Sequence, residues 1–256
     1  MNQPASAHGS ASLTTRLTLA MTALAAATLL TACQSRASAN APAATPAAAA
    51  AAAKAGDLQM LGQQLLAAAA QGDTVTVRNL LAGNAPVDVQ DARGNTPLLL
   101  ATAANHIEVA RSLLMHGASP NIQNQMQDSA YLLAGAQGRL EIVRMTISYG
   151  ADLKSTNRYG GTALIPACER GHLETARALI TAGVDVNHVN RLGWTCLMEA
   201  VVLSDGGPRH QAIIQALIDA KADLNLPDKD GVTALAHARQ RGQQAVVQLL
   251  QAAGAR

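Results

Sequence analysis

The chain has 256 residues, of which 49% are hydrophobic, 14% are charged and 2% are aromatic, with no Phe. Its core must therefore be built from Ala, Leu, Ile and Val, which allows helices to pack closely. The formal net charge of +2 is too balanced to indicate nucleic-acid binding. Three cysteines exclude a disulfide-stapled scaffold and a four-thiolate zinc site.

The N-terminal segment is predicted to be a targeting signal. The first 56 residues contain no acidic residue, and Arg16 precedes an apolar stretch from Leu17 to Leu30. This stretch of 14 residues suits the hydrophobic region of a signal peptide better than a membrane span of about 20 residues. The residues that end it, Leu30-Thr31-Ala32-Cys33, resemble the lipobox of bacterial lipoproteins.

The lipobox resemblance implies a cleavage site and a lipid anchor. Residues 1–32 would be the lipoprotein signal peptide, and Cys33, lipidated on its thiol, would be the first residue of the mature chain. We therefore expect a lipid-anchored protein of the bacterial periplasm. Gln34 stands where an Asp commonly retains such lipoproteins in the inner membrane, which favours the outer membrane. The alternatives are an ordinary cleaved signal with a chance Cys and a low-complexity Ala-rich tail.

Residues 33–56 are expected to form an Ala/Pro-rich tether between the anchor and a folded domain. They contain seven consecutive alanines, 47–53, and no apolar pattern that a core could use. Part of the alanine run can form helix, but the segment is expected to act as a spacer that lets the folded domain extend away from the anchor.

A repeat of 33 residues organises the chain from residue 57 onward. Asp or Asn is followed by Gly three positions later and Thr five positions later in four segments, which begin at Asp91, Asn157, Asn190 and Asp228. A degenerate copy that begins at Asn124 fills the gap between the first two. The predicted units are 57–90, 91–123, 124–156, 157–189, 190–227 and 228–256.

Each unit carries start and stop signals for a pair of helices. A Thr suited to cap the first helix recurs as Thr96, Thr162, Thr195 and Thr233. A Gly suited to the left-handed position that ends the second helix recurs as Gly117, Gly150, Gly183 and Gly254. Apolar pairs in the second helix, such as Leu113 and Leu114, would face neighbouring units, so no unit buries a core alone.

With this period and these signals, residues 57–256 resemble the ankyrin-repeat family. The resemblance implies an all-α solenoid of about six helix-turn-helix units, with hairpin-like fingers along one edge. It also implies a protein partner bound on the concave side, without catalysis, cofactor or metal, and we expect a monomer. Pro166 falls in the first turn of a predicted helix and should disturb that helix locally.

The cysteines of the repeats are predicted to be structural. Cys168 and Cys196 stand at different positions of adjacent units. We expect two buried free thiols, because their Cα atoms should be too far apart for a disulfide. Cys168 and His172 are four positions apart, but Gly171 interrupts the helix between them, which argues against a nucleophile and its base.

Three histidines recur at one position of the repeat, namely His106, His172 and His210. Equivalent positions in a solenoid are about 10 Å or more apart, too far for ligands that each lie about 2 Å from one metal ion. The recurrence therefore predicts a structural contact at the turn between the two helices of a unit.

The tips of consecutive fingers supply the predicted binding surface, which comprises Arg158, Tyr159, Arg191, Leu192 and Trp194. These residues lie in two neighbouring fingers and should align along one edge. Trp, Tyr and Arg dominate the hot spots of protein interfaces. The alternative for Trp194 is that it packs over the next finger.

An insertion in the fifth unit supplies a second candidate surface. Five extra residues fall within 203–209, where Asp205 and Arg209 would contact a partner. A longer turn without a binding role is the alternative.

The sequence favours a non-catalytic, membrane-tethered module that binds or inhibits a periplasmic or envelope protein. Exported bacterial ankyrin proteins that resemble this chain are in some cases linked to peroxide defence or to immunity against a secreted toxin. A structural spacer or a host-directed effector is the alternative. An enzyme is disfavoured because no acid, base and nucleophile converge on the predicted stack.

Overall fold

A computed structural model describes residues 46–256, and this part of the chain contains twelve helices and no strand. The helices are α1 (Pro46–Gln71), α2 (Thr74–Ala82), α3 (Pro97–Ala103), α4 (Ile107–Met115), α5 (Ala130–Ala136), α6 (Leu140–Ser148), α7 (Leu164–Glu169), α8 (Leu173–Thr181), α9 (Cys196–Val202), α10 (Pro208–Asp219), α11 (Ala234–Gln240) and α12 (Gln244–Ala252). None of them combines the length and the hydrophobicity needed to cross a membrane.

The twelve helices form two layers. Within each unit an odd-numbered first helix is joined by a short turn to an even-numbered second helix, and the two pack together. Each first helix also packs on the first helix of the next unit, and each second helix on the next second helix. The predicted all-α solenoid of about six helix-turn-helix units is therefore confirmed.

The core lies between units as well as within them. Leu98 in α3 and Leu113 in α4 are fully buried, and Leu114 is 1% exposed. The buried side chains form one continuous cluster from Leu65 in α1 to Leu250 in α12. Stability therefore depends on stacking, because a single helix pair would leave both of its apolar faces exposed.

The predicted caps are found in three units and fail in one. The side chains of Thr96, Thr195 and Thr233 accept hydrogen bonds from backbone N–H groups three residues later. Ser129 does the same in the degenerate unit. Thr162 does not cap α7, and its buried hydroxyl has no hydrogen-bond partner among the described residues.

Pro166 explains the exception. In the other units the backbone oxygen of the capping residue accepts a hydrogen bond from the N–H four residues later, as Leu100 N–H donates to Thr96. Pro166 occupies that donor position after Thr162 and has no N–H. Helix α7 consequently begins at Leu164, two residues after Thr162, whereas α3 begins one residue after Thr96.

Each finger is built on the side chain of its first residue. In the finger that precedes α9, Asn190 Oδ1 accepts hydrogen bonds from the N–H groups of Leu192 and Trp194. The fingers that start with Asp91, Asn124, Asn157 and Asp228 repeat the same two bonds. An Asn or Asp is favoured here because its side chain can form a local turn with its own backbone.

The recurrent histidines make the predicted structural contact. His106 Nε2 lies 3.2 Å from the carbonyl oxygen of Ala70, and His210 Nε2 lies 3.0 Å from that of Glu169. Both oxygens belong to the preceding unit. The ring of His172 lies against Gly138, where a Cβ would be only 2.6 Å from the ring, so each histidine joins two units at their turns.

The first helix extends into the segment that was expected to be a tether. Helix α1 begins at Pro46, so residues 46–56 of the predicted tether are helical. Alanine is the strongest helix former and Pro is favoured at the first helical position, which accounts for this extension. The predicted signal peptide, Cys33 and the rest of the tether lie outside the described residues.

The prediction of free thiols at Cys168 and Cys196 is wrong, since the two residues form a disulfide with Cα atoms 5.6 Å apart. Cys168 lies near the end of α7, and Cys196 is the first residue of α9. The prediction did not allow for the displacement of neighbouring first helices along their axes, which brings the end of α7 to the start of α9. The same two repeat positions one unit earlier hold Gly135 and Ala163, and a Cβ on Gly135 would lie 2.7 Å from that of Ala163.

We predict that the disulfide is formed and stabilising in the protein purified from a bacterial envelope. The cysteines are 28 positions apart, and closing such a loop contributes about 3 kcal/mol to the free energy of unfolding. The Cys168→Ala/Cys196→Ala variant should lose this amount in urea denaturation monitored by circular dichroism.

Reduction provides the control for that measurement. With reductant present, the natural chain and the double variant should unfold at the same urea concentration, which separates the crosslink from changes in packing. Alkylation of Cys168 or Cys196 in denatured, unreduced protein, detected by mass spectrometry, would contradict the prediction.

Candidate functional site

A groove of about 500 Å³ runs across the first helices and fingers of the third, fourth and fifth units. Leu133, Ile165 and Leu203 supply apolar surface from α5, α7 and the end of α9. Tyr159 and Leu192 border the groove from two consecutive finger tips. A protein surface that is concave, partly apolar and bounded by polar groups is the usual form of a binding site.

The type of side chain at the tip of the finger changes along the stack. The third residue of each finger is exposed, and in order these residues are Arg93, Met126, Tyr159, Leu192 and Asp230. The three central tips are large apolar side chains that are 52%, 54% and 52% exposed. Exposed apolar side chains on three consecutive tips make this edge of the stack a candidate interaction surface.

Two of the predicted binding residues hold the fingers in place. The guanidinium of Arg158 lies 4.8 Å from the centre of the Tyr159 ring and 3.7 Å from Asp128 Oδ2. Arg191 donates a hydrogen bond of 2.8 Å to the carbonyl oxygen of Arg158, and so links two fingers. Both arginines are exposed, so these contacts orient groups that a partner can reach.

Trp194 has a different environment from Tyr159 and Leu192. It is half-buried and packs against the hydrophobic core, and it does not line the groove. Of the predicted finger residues, Arg158, Tyr159 and Leu192 line the groove, whereas Arg191 and Trp194 stand beside it.

The structure does not bring Asp205 and Arg209 to the groove. Both are exposed, Asp205 in the turn after α9 and Arg209 in the first turn of α10, at the opposite end of α9 from Leu192. The inserted turn is anchored on the sixth unit, where Gln243 Nε2 donates hydrogen bonds of 3.0 Å to the carbonyl oxygens of Val201 and Ser204. The insertion therefore forms a separate, ordered surface.

Glu199 is the most unusual side chain in the groove, because it is a carboxylate that is only 5% exposed. It accepts a hydrogen bond of 2.7 Å from Asn190 Nδ2 through Oε1. Burial, reinforced by the negative charge of Glu169, raises the pKa of Glu199 to about 7, against the weaker opposing effect of Asn190. The carboxyl therefore keeps its proton to a higher pH than an ordinary glutamate does.

The remaining charges of the groove are arranged in pairs. Burial raises the pKa of Asp128, although Arg158 and Arg170 both favour its charged form. Arg170 also donates a hydrogen bond of 2.7 Å to the carbonyl oxygen of Ala136. Within residues 46–256, no group of three or more His, Cys, Asp or Glu side chains is placed to hold a metal ion.

The sequence interpretation missed the helical half of the site, above all Glu169 and Glu199. A signal for Glu199 is present when the repeats are aligned on their capping residues. The fourth position after the capping residue holds Leu100, Leu133, Pro166, Glu199 and His237 in successive units. A Glu in a column that is apolar in the three preceding units marks a departure from the repeat that packing does not require.

Cys168 and His172 do not form a catalytic pair, because Cys168 is in the disulfide and is fully buried. His172 is engaged at the turn instead, with its ring against Gly138. This agrees with the interpretation that both residues are structural.

The class of protein follows from the repeated geometry and from comparison with known sequences. The family described as ankyrin repeats in three copies matches residues 28–124 and 131–226, and the chain belongs to this family. Ankyrin repeats are scaffolds for protein interaction and are typically not catalytic.

Individual relatives are themselves described as ankyrin repeat proteins. The chain is 52% identical over 58 residues to the ankyrin repeat protein YahD of Escherichia coli K12, which corresponds to 23% of this chain and 29% of YahD. An ankyrin repeat domain from Acinetobacter baumannii is 54% identical over 75% of this chain and 98% of the other, with a TM-score of 0.73.

Two further solved structures are similar. The ankyrin repeat protein EF0377 is 41% identical over 74% of this chain and 97% of its own, with a TM-score of 0.72. The ankyrin domain of Bcl-3, a member of the IkappaB family, is 28% identical over 75% of this chain and 86% of its own, with a TM-score of 0.68.

We predict that Glu199→Gln stabilises the protein at high pH. The pKa of Glu199 is higher in the folded chain, about 7, than its usual 4.5, so its contribution to stability is complete below pH 4.5 and is lost as the pH rises through 7. At pH 8 the variant should exceed the natural chain by about 1 to 3 kcal/mol in urea denaturation. Near pH 4.5 the two should agree within about 0.5 kcal/mol.

Glu174→Gln is the matched control, because Glu174 is exposed and pairs with Arg177 on α8. It removes the same charge and should not stabilise the chain at either pH. A Glu199→Gln variant that is less stable than the natural chain at pH 8 would contradict the prediction.

Proposed function

We propose that the chain is a non-catalytic, lipid-anchored module of the bacterial envelope that binds a protein partner through the groove. The observation that carries the binding role is the row of exposed apolar finger tips, Met126, Tyr159 and Leu192, two of which border the groove. Large exposed apolar and aromatic groups at the edge of a concave surface are typical of interface hot spots.

Two features support an envelope location. Leu30-Thr31-Ala32-Cys33 has the form of a lipobox, and the disulfide between Cys168 and Cys196 is of a kind that persists in oxidising compartments such as the periplasm. Lipidation of Cys33 would place the repeats at the membrane, with the outer membrane favoured by Gln34. Peroxide defence and immunity against a secreted toxin are two specific functions that such a module would serve.

The capture of a partner should depend on the exposed finger tips. We expect the full chain with Tyr159→Ser/Leu192→Ser to retain at least tenfold less of its partner than the natural chain in a pull-down from periplasm and detergent-solubilised membrane. The reason is that both side chains lose apolar contact area without leaving a cavity in the core. Quantitative mass spectrometry of the retained proteins is the measurement.

Met115→Ser/Val75→Ser is the control, because these apolar residues are 66% and 71% exposed on second helices. Its capture should equal that of the natural chain. Trp194 is not a suitable probe, since replacing a side chain that packs on the core alters stability as well. Equal capture by the natural chain and the finger-tip variant would contradict the binding role and favour a structural spacer or a host-directed effector.

Lipidation of Cys33 can be tested separately from partner binding. We expect the natural chain expressed in a bacterial host to incorporate labelled palmitate and to sediment with membranes, whereas Cys33→Ser should lose both properties. The Cys168→Ala/Cys196→Ala variant is the control, because it keeps Cys33 as the chain's thiol and should remain labelled. Absence of label in the natural chain would contradict lipidation, and release of the natural chain into the medium would favour an effector.

A further inference from the structure

The charges of the groove leave two carboxylates without a counter-ion. Arg158 is engaged by Asp128 and by the ring of Tyr159, and Arg170 by the carbonyl oxygen of Ala136. Among the described residues, neither Glu169 nor Glu199 has a cationic group within 4.0 Å. Glu169 and Glu199 therefore have no ion pair in this part of the chain, and Arg170, which donates to a backbone oxygen, has none either.

Glu199 places a nearly buried carboxyl group at the wall of the groove. Oε1 accepts the hydrogen bond from Asn190, whereas Oε2 has no hydrogen-bond partner in the described part of the chain. Oε2 is not among the buried polar atoms that lack a partner, so it is accessible from the groove, where a cation or a donor would favour the charged form of this carboxyl.

Glu169 adds a second carboxylate beside the first. It projects from α7, which packs against α9, and its negative charge contributes to the raised pKa of Glu199. Like Glu199, it lines the groove. Two carboxylates alone supply too few ligands for Ca²⁺ or Mg²⁺, which take about six or more oxygen ligands, whereas an ammonium or a guanidinium can be held by two.

We propose that the groove binds an extended segment of the partner protein, whose lysine or arginine side chain enters between Glu169 and Glu199 while adjacent apolar side chains contact Tyr159 and Leu192. This inference rests on the proposed binding function and specifies the chemistry of the partner. The apolar part of the groove, Leu133, Ile165 and Leu203, accommodates the aliphatic stem of the basic residue. Charge complementarity gives specificity, because an acidic segment would meet two unpaired carboxylates.

The test uses a phage-displayed library of random twelve-residue peptides selected on the full chain in detergent. The natural chain is compared with Glu169→Gln/Glu199→Gln, which keeps side-chain size and an oxygen for Asn190. Glu141→Gln/Glu174→Gln is the matched control, because it removes two exposed glutamates that pair with arginines on second helices. Circular dichroism verifies that all three proteins are folded.

The natural chain and the control should enrich the same peptides, each with a Lys or Arg next to an apolar residue, and Glu169→Gln/Glu199→Gln should not. In synthetic versions, citrulline in place of Arg or norleucine in place of Lys should weaken binding at least tenfold to the natural chain and less than twofold to the double variant. Fluorescence polarisation measures both ratios.

Enrichment of peptides without a basic residue, or no enrichment at all, would overturn the inference. Equal effects of citrulline or norleucine on the natural chain and the double variant would do the same. The proposed function is judged separately by the pull-down, so a partner that is captured equally well by Glu169→Gln/Glu199→Gln refutes this inference and leaves the binding function in place.

Discussion

The close approach of consecutive first helices is the constraint on which the rest of the structure depends. Where Gly135 of α5 faces Ala163 before α7, there is no space for even one additional carbon. Small side chains at these two positions let the first helices stack closely, and a disulfide occupies the same positions one unit later. The fingers are then close enough for Arg191 to donate a hydrogen bond to the neighbouring backbone.

The repeat architecture could be predicted because its signals are local. A capping Thr, a Gly in the left-handed region and an Asn that forms its own turn act within a few residues of themselves. The sequence period then gives the number of units. The absence of a cap at Thr162 is also a local effect, because Pro166 lacks the backbone N–H that other units use there, and α7 begins two residues after Thr162.

The lining of the groove was predicted only in part, because a repeat position does not state which side chains meet across units. Tyr159 and Leu192 were found because fingers align in register, which the period determines. Glu169 and Glu199 come from different positions of different first helices, and their approach depends on the stagger between α7 and α9. The disulfide was missed for the same reason, since its two positions also meet only through that stagger.

The position of the disulfide has a consequence for how the stack can open. A solenoid comes apart at one interface at a time, and its end units separate most readily. The bond between α7 and α9 joins the fourth and fifth units, the two that carry Tyr159, Leu192, Glu169 and Glu199. Fraying from the C-terminal end can therefore release the sixth unit while the covalent link keeps the fifth beside the fourth. In hydrogen exchange, the boundary between lasting and transient protection would then fall beyond the groove, so the surface for a partner persists while the end of the molecule opens.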